Sequence, residues 1–355
     1  MPNVESLRVQ KNFGQEALLL ARKLGFINRS LMVTTKEDYV IIPLSRRLSE
    51  DEIRILECKL KIINFSYEDF KPKSDTPKTL TEALRGNLPS SLFINLPKSL
   101  DVIGNVAILE VPQQLDQYKH VLGKAVLQIN KKIETVLAKA SSIGGERRLR
   151  EFEVIAGTGK TETLHREYGC VYRLDPVKVY FSPRLSTEHC RVAHQVMEDE
   201  IVVDMFAGVG PFAVQIGRSC KNVTIYAIDL NPDAIKYLMN NISLNNVEGK
   251  VIPVLGDARE IGEKNLCGIA DRVIMNLPGK ALEFIDVACR ILKPKGGIIH
   301  YYCFEDEPAT LERAAEELQK IVISSGRKAE RILCSRFVRP IAPHEWQIVL
   351  DVAII

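Results

Sequence analysis

The segment VVDMFAGVGPFAV, residues Val202–Val214, limits what this 355-residue chain can fold into more than any other stretch. A buried-strand pattern ends at Asp204, the chain turns through Ala207-Gly208-Val209-Gly210, and Pro211 suits the first turn of a following helix. Two glycines let the backbone approach a ligand closely, and the helix start offers N–H donors with no partner inside the helix. Gly208 to Ala213 fits the dinucleotide pattern GxGxxA, a match that is weak by itself. Asp204, four residues before the first glycine, is misplaced for a pyrophosphate and suits the ammonium of an amino-acid-bearing cofactor.

The surrounding sequence repeats the same unit. Strand-like runs at Ile201–Phe206, Val223–Asp229, Val251–Leu255, Asp271–Met275 and Gly297–Cys303 alternate with helical patterns such as Pro232–Leu244 and Ala281–Leu292. That alternation predicts an α/β domain with a parallel, doubly wound sheet. The runs Ile332–Val338 and Gln347–Ile354 have no helix between them and are expected to form an antiparallel hairpin at the sheet edge. Ligands bind such sheets at the carboxyl ends of the strands. Asp229, nineteen residues after Gly210, stands there and can accept from both hydroxyls of a ribose, with Leu230 beside it. Asn231 is the better candidate for capping the next helix. The third strand ends at Asp257 and Ala258, where a helix cap and a ligand contact are both open, and the fourth at Asn276, held by Leu277-Pro278.

Ahead of this domain, expected over 179–355, two smaller blocks are read at 1–72 and 80–178, the first α/β and the second α+β. The stretch Lys71–Thr79 reads as a linker. The second block contains a strand-like run at Asp101–Val111 and a helical pattern from about Leu115 to Ala140. Between Lys119 and Arg150 eight basic residues face two acidic ones, either a solvated helix face or a phosphate-binding surface. AGTGKTE (Ala156–Glu162) has Val154 where a P-loop needs glycine, so it is expected to be a polar hairpin turn, with Lys160 a candidate phosphate contact. The chain's 48 Lys plus Arg against 45 Asp plus Glu give a net charge of only +3, so a nucleic-acid surface must come from local clustering. No apolar run is long enough for a membrane span, and the N-terminus lacks a signal-peptide core. The eight cysteines lie singly with no CxxC pair, which predicts no metal, reduced and mostly buried thiols, and a cytoplasmic setting.

Val202–Val214 resembles the DxFxGxG signature of class I S-adenosylmethionine (AdoMet)-dependent methyltransferases, and NLPG after the fourth strand is similar to the NPPY-type motif of enzymes that methylate nucleobase nitrogens. Together, VYFSPRLSTE, DMFAGVGPF, IDLNP, GDAR and NLPG resemble, in order and spacing, the archaeal and eukaryotic tRNA (guanine-37 N1)-methyltransferase family over residues 80–355. The resemblance implies a class I methyltransferase domain with AdoMet as cofactor and a whole tRNA as partner; the chain is expected to act as a monomer. An archaeal subset also methylates C7 of 4-demethylwyosine, the tricyclic wyosine precursor, at the same position. It implies a cofactor site of His189, Asp204, Phe206, Ala207, Gly208, Gly210, Asp229, Leu230, Asp257, Ala258 and Asn276. Tyr180, Pro183, Arg184 and Pro278 would line the acceptor side. Glu188 matches the family's base, Arg148 its arginine for O6 (with Arg150 as the neighbouring alternative), and the Asn276 amide oxygen would accept from a base N–H. An arginine in hydrogen-bond reach of Glu188 would weaken it as a base, so the two are expected to contact different atoms. Gly279, where relatives carry larger residues, is expected to widen the acceptor pocket. Two rivals stand beside this reading: the aminocarboxypropyl transferase of wybutosine synthesis, on the same fold, and an NAD-dependent dehydrogenase, suggested only by GxGxxA.

Overall fold

The computed structural model describes every residue except 61–62, 73–76, 142–149, 307–310 and 343. Two compact units divide the chain at Pro77. In Met1–Pro77, β1 (Asn3–Gln10), α1 (Gly14–Lys23), β2 (Thr34–Lys36), β3 (Tyr39–Pro43), α2 (Glu50–Leu60) and β4 (Ile63–Asp69) form an antiparallel sheet of order β2-β3-β1-β4. Leu7, Val9 and Ile42 on one face of that sheet pack with Ala17, Ala21, Leu56 and Leu60 of the two helices. Alternate strand residues and helix positions three or four apart therefore supply one small core.

In Lys78–Ile355 the chain first makes α3 (Leu80–Leu84), β5 (Leu100–Ile103), β6 (Val106–Leu109), α4 (Lys119–Ile129), β7 (Thr135–Lys139) and β8 (Phe152–Gly157), with sheet order β5-β6-β7-β8. The run Asp101–Val111 is thus a tight hairpin rather than one strand. The helical pattern expected to reach Ala140 stops at Ile129. Asn130 is extended and its side chain accepts from the Lys132 N–H at 3.1 Å, a local turn that competes with helix. TVLAK then enters the sheet beside β6 as a buried strand, with its β-branched residues enclosed. β9 (Thr163–Glu167) and β10 (Cys170–Leu174) form a separate two-stranded ribbon. Ala156–Glu162 is therefore no hairpin turn but the link from one sheet to another. Gly157 is required there: its φ is +93°, and a Cβ would lie 2.0 Å from the Glu134 carbonyl oxygen.

The remaining elements are α5 (Ser186–Ala193), β11 (Ile201–Asp204), α6 (Pro211–Ser219), β12 (Thr224–Asp229), α7 (Pro232–Leu244), β13 (Val251–Leu255), α8 (Ala258–Asn265), β14 (Arg272–Met275), α9 (Ile285–Ile291), β15 (Gly297–Asp306), α10 (Leu311–Ser324), β16 (Ala329–Ala342) and β17 (Glu345–Ile354). They build a seven-stranded sheet of order β13-β12-β11-β14-β15-β17-β16, parallel up to β15 and closed at one edge by the antiparallel hairpin β16–β17. Its central strands are apolar on both faces because helices cover both. Val202 and Ile225 face a core shared with α6 and α7, whereas Val203, Val273 and Met275 face a second core shared with α8, α9 and α10. The period-two side-chain alternation splits adjacent valines between two cores.

Cys170, Cys220, Cys289 and Cys303 are buried, but Cys58 and Cys267 are exposed, so burial of the thiols is less general than the composition suggested. Among the described residues no helix is long and apolar enough to cross a membrane, and no group of three His, Cys, Asp or Glu is placed to hold a metal ion.

Candidate functional site

Two cavities share Tyr180, and the first opens at the carboxyl edge of the seven-stranded sheet. The first, of about 460 Å3, is lined by Phe206, Gly208, Asp229, Leu230, Asp257, Ala258 and Asn276, all expected from the sequence. Its size suits a nucleoside-bearing ligand. Gly210 does not line it. It caps α6 at φ +87°, where a Cβ would come within 2.3 Å of Leu238 Cδ1. Ala207 is buried behind the lining, donating its N–H to the Ile228 carbonyl at 2.8 Å. The motif's first and last small residues thus shape the turn without meeting the cavity.

Asp204 immediately precedes Met205 and Phe206 of this lining but is itself fully buried and not among the lining residues. Oδ1 accepts a long 3.4 Å hydrogen bond from the Phe206 N–H, while Oδ2 has no partner among the described residues. Burial, aided by nearby Asp229 and opposed by the Phe206 N–H, raises its pKa to about 7. An orphaned buried carboxylate oxygen is costly unless a ligand satisfies it. Asp229 is better served. Oδ2 accepts from the Gly208 N–H at 2.7 Å and Oδ1 from the Asn231 N–H at 2.8 Å, and burial still raises its pKa. Each of its oxygens keeps a lone pair for a ribose hydroxyl. Asn231 caps α7, accepting from the Asp233 N–H at 3.0 Å, and Asp257 caps α8, accepting from the Arg259 N–H at 2.7 Å while also lining the cavity. Phe284 closes one wall edge-on to Phe206, ring centroids 5.1 Å apart. Sequence reasoning missed Phe284 because it lies in a short helical turn with no motif of its own. The donor set therefore fits AdoMet: an unpaired anion for its ammonium, a carboxylate for its ribose and an apolar slot for its base.

The second cavity, of about 270 Å3, is lined by Tyr180, Pro183 and Arg184, as expected, and also by Asp101, Lys139, Arg150 and Arg339. Tyr180 borders both cavities. Arg184 pairs with Asp101 (Nε to Oδ1 2.6 Å), not with Glu188. Arg148 lies outside the described residues; Arg150, its alternative, lines this cavity.

Glu188, His189 and Pro278 are buried and border neither cavity. The His189 ring instead packs edge-on against Phe212, centroids 4.6 Å apart, with Nδ1 2.7 Å from Glu167 Oε1. Burial opposes the Glu167 charge, but hydrogen bonds from His165 and His189 outweigh it and hold the carboxyl below its ordinary range. Glu188 is not kept clear of arginine. Arg191 Nε and the Tyr302 hydroxyl each donate to Oε2 at 3.0 Å, and the Arg336 guanidinium pairs with Oε1. The correction has a tertiary cause. Tyr302, Arg336 and Asp351, which anchors Arg191, all come from the C-terminal three strands. The chain continues inward as His300 Nδ1 to Asp351 Oδ1 (2.6 Å) and Arg272 Nη1 to His300 Nε2 (2.8 Å). Since arginine only donates, His300 is neutral with its proton on Nδ1, and burial duly lowers its pKa.

Gly279 also departs from expectation. It is exposed and lines neither cavity, and an added Cβ would meet nothing within 4 Å, so glycine there does not widen a pocket. Of the basic run, Lys119 pairs with Glu153 and Lys139 with Glu110, both at 2.8 Å, which removes two charges from any phosphate surface.

Residues 163–330 match the TRM5/TYW2 methyltransferase domain, and residues 80–161 match the TYW2 N-terminal domain. The chain is 39% identical to the tRNA (guanine(37)-N(1))-methyltransferase Trm5b of Pyrococcus abyssi, with 93% of this chain and 92% of the relative covered. It is 34% identical to a tRNA(Phe) (4-demethylwyosine(37)-C(7)) aminocarboxypropyltransferase of Methanocaldococcus jannaschii, over 70% of this chain and 95% of that one. Among solved structures, that of aTrm5 with tRNALeu superposes with a TM-score of 0.76 at 32% identity, covering 98% of this chain and 99% of the other. The AdoMet complex of M. jannaschii TYW2 superposes with a TM-score of 0.56 at 31% identity, covering 72% of this chain and 99% of the other.

Proposed function

The chain belongs to the TRM5/TYW2 methyltransferase family, and on that premise we propose that it methylates N1 of guanine at position 37 of tRNA, using AdoMet. The observation that carries the reading is the pair of cavities meeting at Tyr180, one lined by Met205 and Phe206 next in sequence to Asp204 with its orphaned Oδ2, the other lined by Arg150, Arg184 and Arg339. When bound, AdoMet supplies an electrophilic methyl group on its sulfonium. Asp204 would hold its ammonium and Asp229 its ribose, with Phe206 and Phe284 about the adenine. A flipped guanine would enter past Tyr180 and Pro183.

Guanine N1 carries a proton in the neutral base, so its lone pair is unavailable until that proton leaves. Glu188 is our candidate acceptor for it, in a position where Arg336 must first release Oε1. Arg148 or Arg150 would stabilise the charge developing on O6. Arg166, Arg173 and Lys132 line an open groove of about 680 Å3 and give tRNA phosphates a surface. The N-terminal unit adds another. We place the enzyme in the cytoplasm as a monomer.

Methyl transfer is preferred over aminocarboxypropyl transfer because the match to the methyltransferase relative runs through 93% of the chain, whereas the aminocarboxypropyltransferase matches 70%. Mass spectrometry of nucleosides from a G37 transcript tests the choice. A gain of about 14 Da on guanosine supports it, and one of about 101 Da overturns it.

A further inference from the structure

We propose that Arg339 and Gln347, both from the C-terminal hairpin, form a one-way hydrogen-bond chain that turns the Asn276 side chain so that its amide N–H2 serves the reaction site. The inference rests on the reading above for the identity of that site. Its direction follows from donor chemistry. A guanidinium only donates. Arg339 Nε donates to Gln347 Oε1 at 2.9 Å, which fixes that oxygen as the accepting end of the Gln347 amide. The other end, Nε2, donates to Asn276 Oδ1 at 3.3 Å. Reversing either amide would set N–H against N–H. Gln347 is 1% exposed, so water cannot take over the lost partner.

The consequence is local and specific. Asn276 lines the first cavity, its oxygen is occupied by Gln347, and its Nδ2 has no protein partner among the described residues. The side chain therefore offers a donor, not the acceptor that its place after the fourth strand suggests. A donor favours a purine edge that presents a lone pair over one that presents N–H. The same guanidinium also holds the divider between the cavities: Nη1 donates to Ser182 Oγ at 2.9 Å and Nη2 to the Tyr180 hydroxyl at 3.3 Å. Arg339 and Gln347 are thus positioning residues that link the acceptor cavity to Asn276 through the sheet edge.

Gln347→Glu is the discriminating variant. Glutamate keeps the side-chain length and pairs with Arg339, but its carboxylate only accepts, so Asn276 must turn Nδ2 toward it and leave Oδ1 facing the site. Steady-state assays with a G37 tRNA transcript are expected to show kcat reduced about 100-fold, the size of effect seen when one oriented donor is lost. The thermal midpoint should stay near wild type, and AdoMet affinity by calorimetry, which Asn276 can also touch, should change by far less than kcat. Arg339→Met, at a partly exposed position, frees the Gln347 amide and should lower kcat about tenfold, with Arg339→Lys recovering part of the loss through its single donor. Turnover by Gln347→Glu within twofold of wild type would overturn the chain. So would identical behaviour of Arg339→Met and Arg339→Lys. The wild-type product in the same assay separates the two ideas. A product other than 1-methylguanosine retires the function, while the ratio of wild type to variant on that product still decides the chain.

Discussion

Lowering the pH from 7 to 5 should reduce AdoMet affinity about 50-fold relative to that of adenosine. Asp204 is fully buried, its Oδ2 is unpartnered among the described residues, and burial raises its pKa to about 7. Only the ionised carboxylate favours the ammonium of AdoMet. About half of it is ionised at pH 7 and about one part in a hundred at pH 5, which gives the 50-fold figure. Asp229, also raised, is our candidate for the ribose shared by both ligands, so its contribution cancels in the ratio. The window closes near pH 7.7, where an α-ammonium itself loses its proton at about that pH. Titration calorimetry from pH 5 to 7 reads the affinities, and paired buffers of different ionisation heat read the proton that Asp204 releases on binding. Asp204→Asn should bind AdoMet more weakly at pH 7 with the slope gone. A ratio that changes less than about threefold over this range would refute the reasoning. The stability of the ligand-free protein carries the matching sign. Because the folded pKa is raised from 3.8, this group's contribution is full below about pH 4 and is lost as pH rises through about 7, a change on the order of 4 kcal/mol. Ligand-free Asp204→Asn should therefore be more stable than wild type at pH 8.

Three further outcomes are expected. Glu188→Gln should lower kcat by at least about 100-fold with AdoMet affinity unchanged, since Glu188 does not line the first cavity; wild-type turnover would end its candidacy as base. Gly210→Ala should cost about 2 kcal/mol or more in urea unfolding, because φ +87° and the 2.3 Å approach to Leu238 both oppose a Cβ, and an unchanged midpoint would contradict that packing. Removing Met1–Pro77 should weaken tRNA binding, measured by filter retention, more than AdoMet binding, and equal losses would argue against a tRNA role for that unit.

Some of this protein is written locally. Strand-turn-helix signals are short-range, so Gly208, Gly210, Pro211 and the strand ends at Asp229, Asp257 and Asn276 announce both the sheet and the edge where a ligand binds. Period-two and helical patterns likewise place the parallel strands and the edge hairpin. The helix expected through Ala140 failed because TVLAK is apolar at either period, and only the neighbour β6 makes it a strand. What sequence could not give is which way each side chain is held. Glu188 was legible as a residue of interest, but its two arginines and tyrosine lie three, 148 and 114 residues away, joined only when β15, β16 and β17 pair. Gln347 and Asp351, four apart on one face of a strand otherwise apolar from Trp346 to Ile354, were the one faint signal of that network. Motif spacing fixes the backbone path, because turns and periodicities act over a few residues. Hydrogen-bond direction and ion pairing depend on contacts that only the closed sheet creates, and so the tertiary structure alone decides that Asn276 donates and that Arg336 covers Glu188.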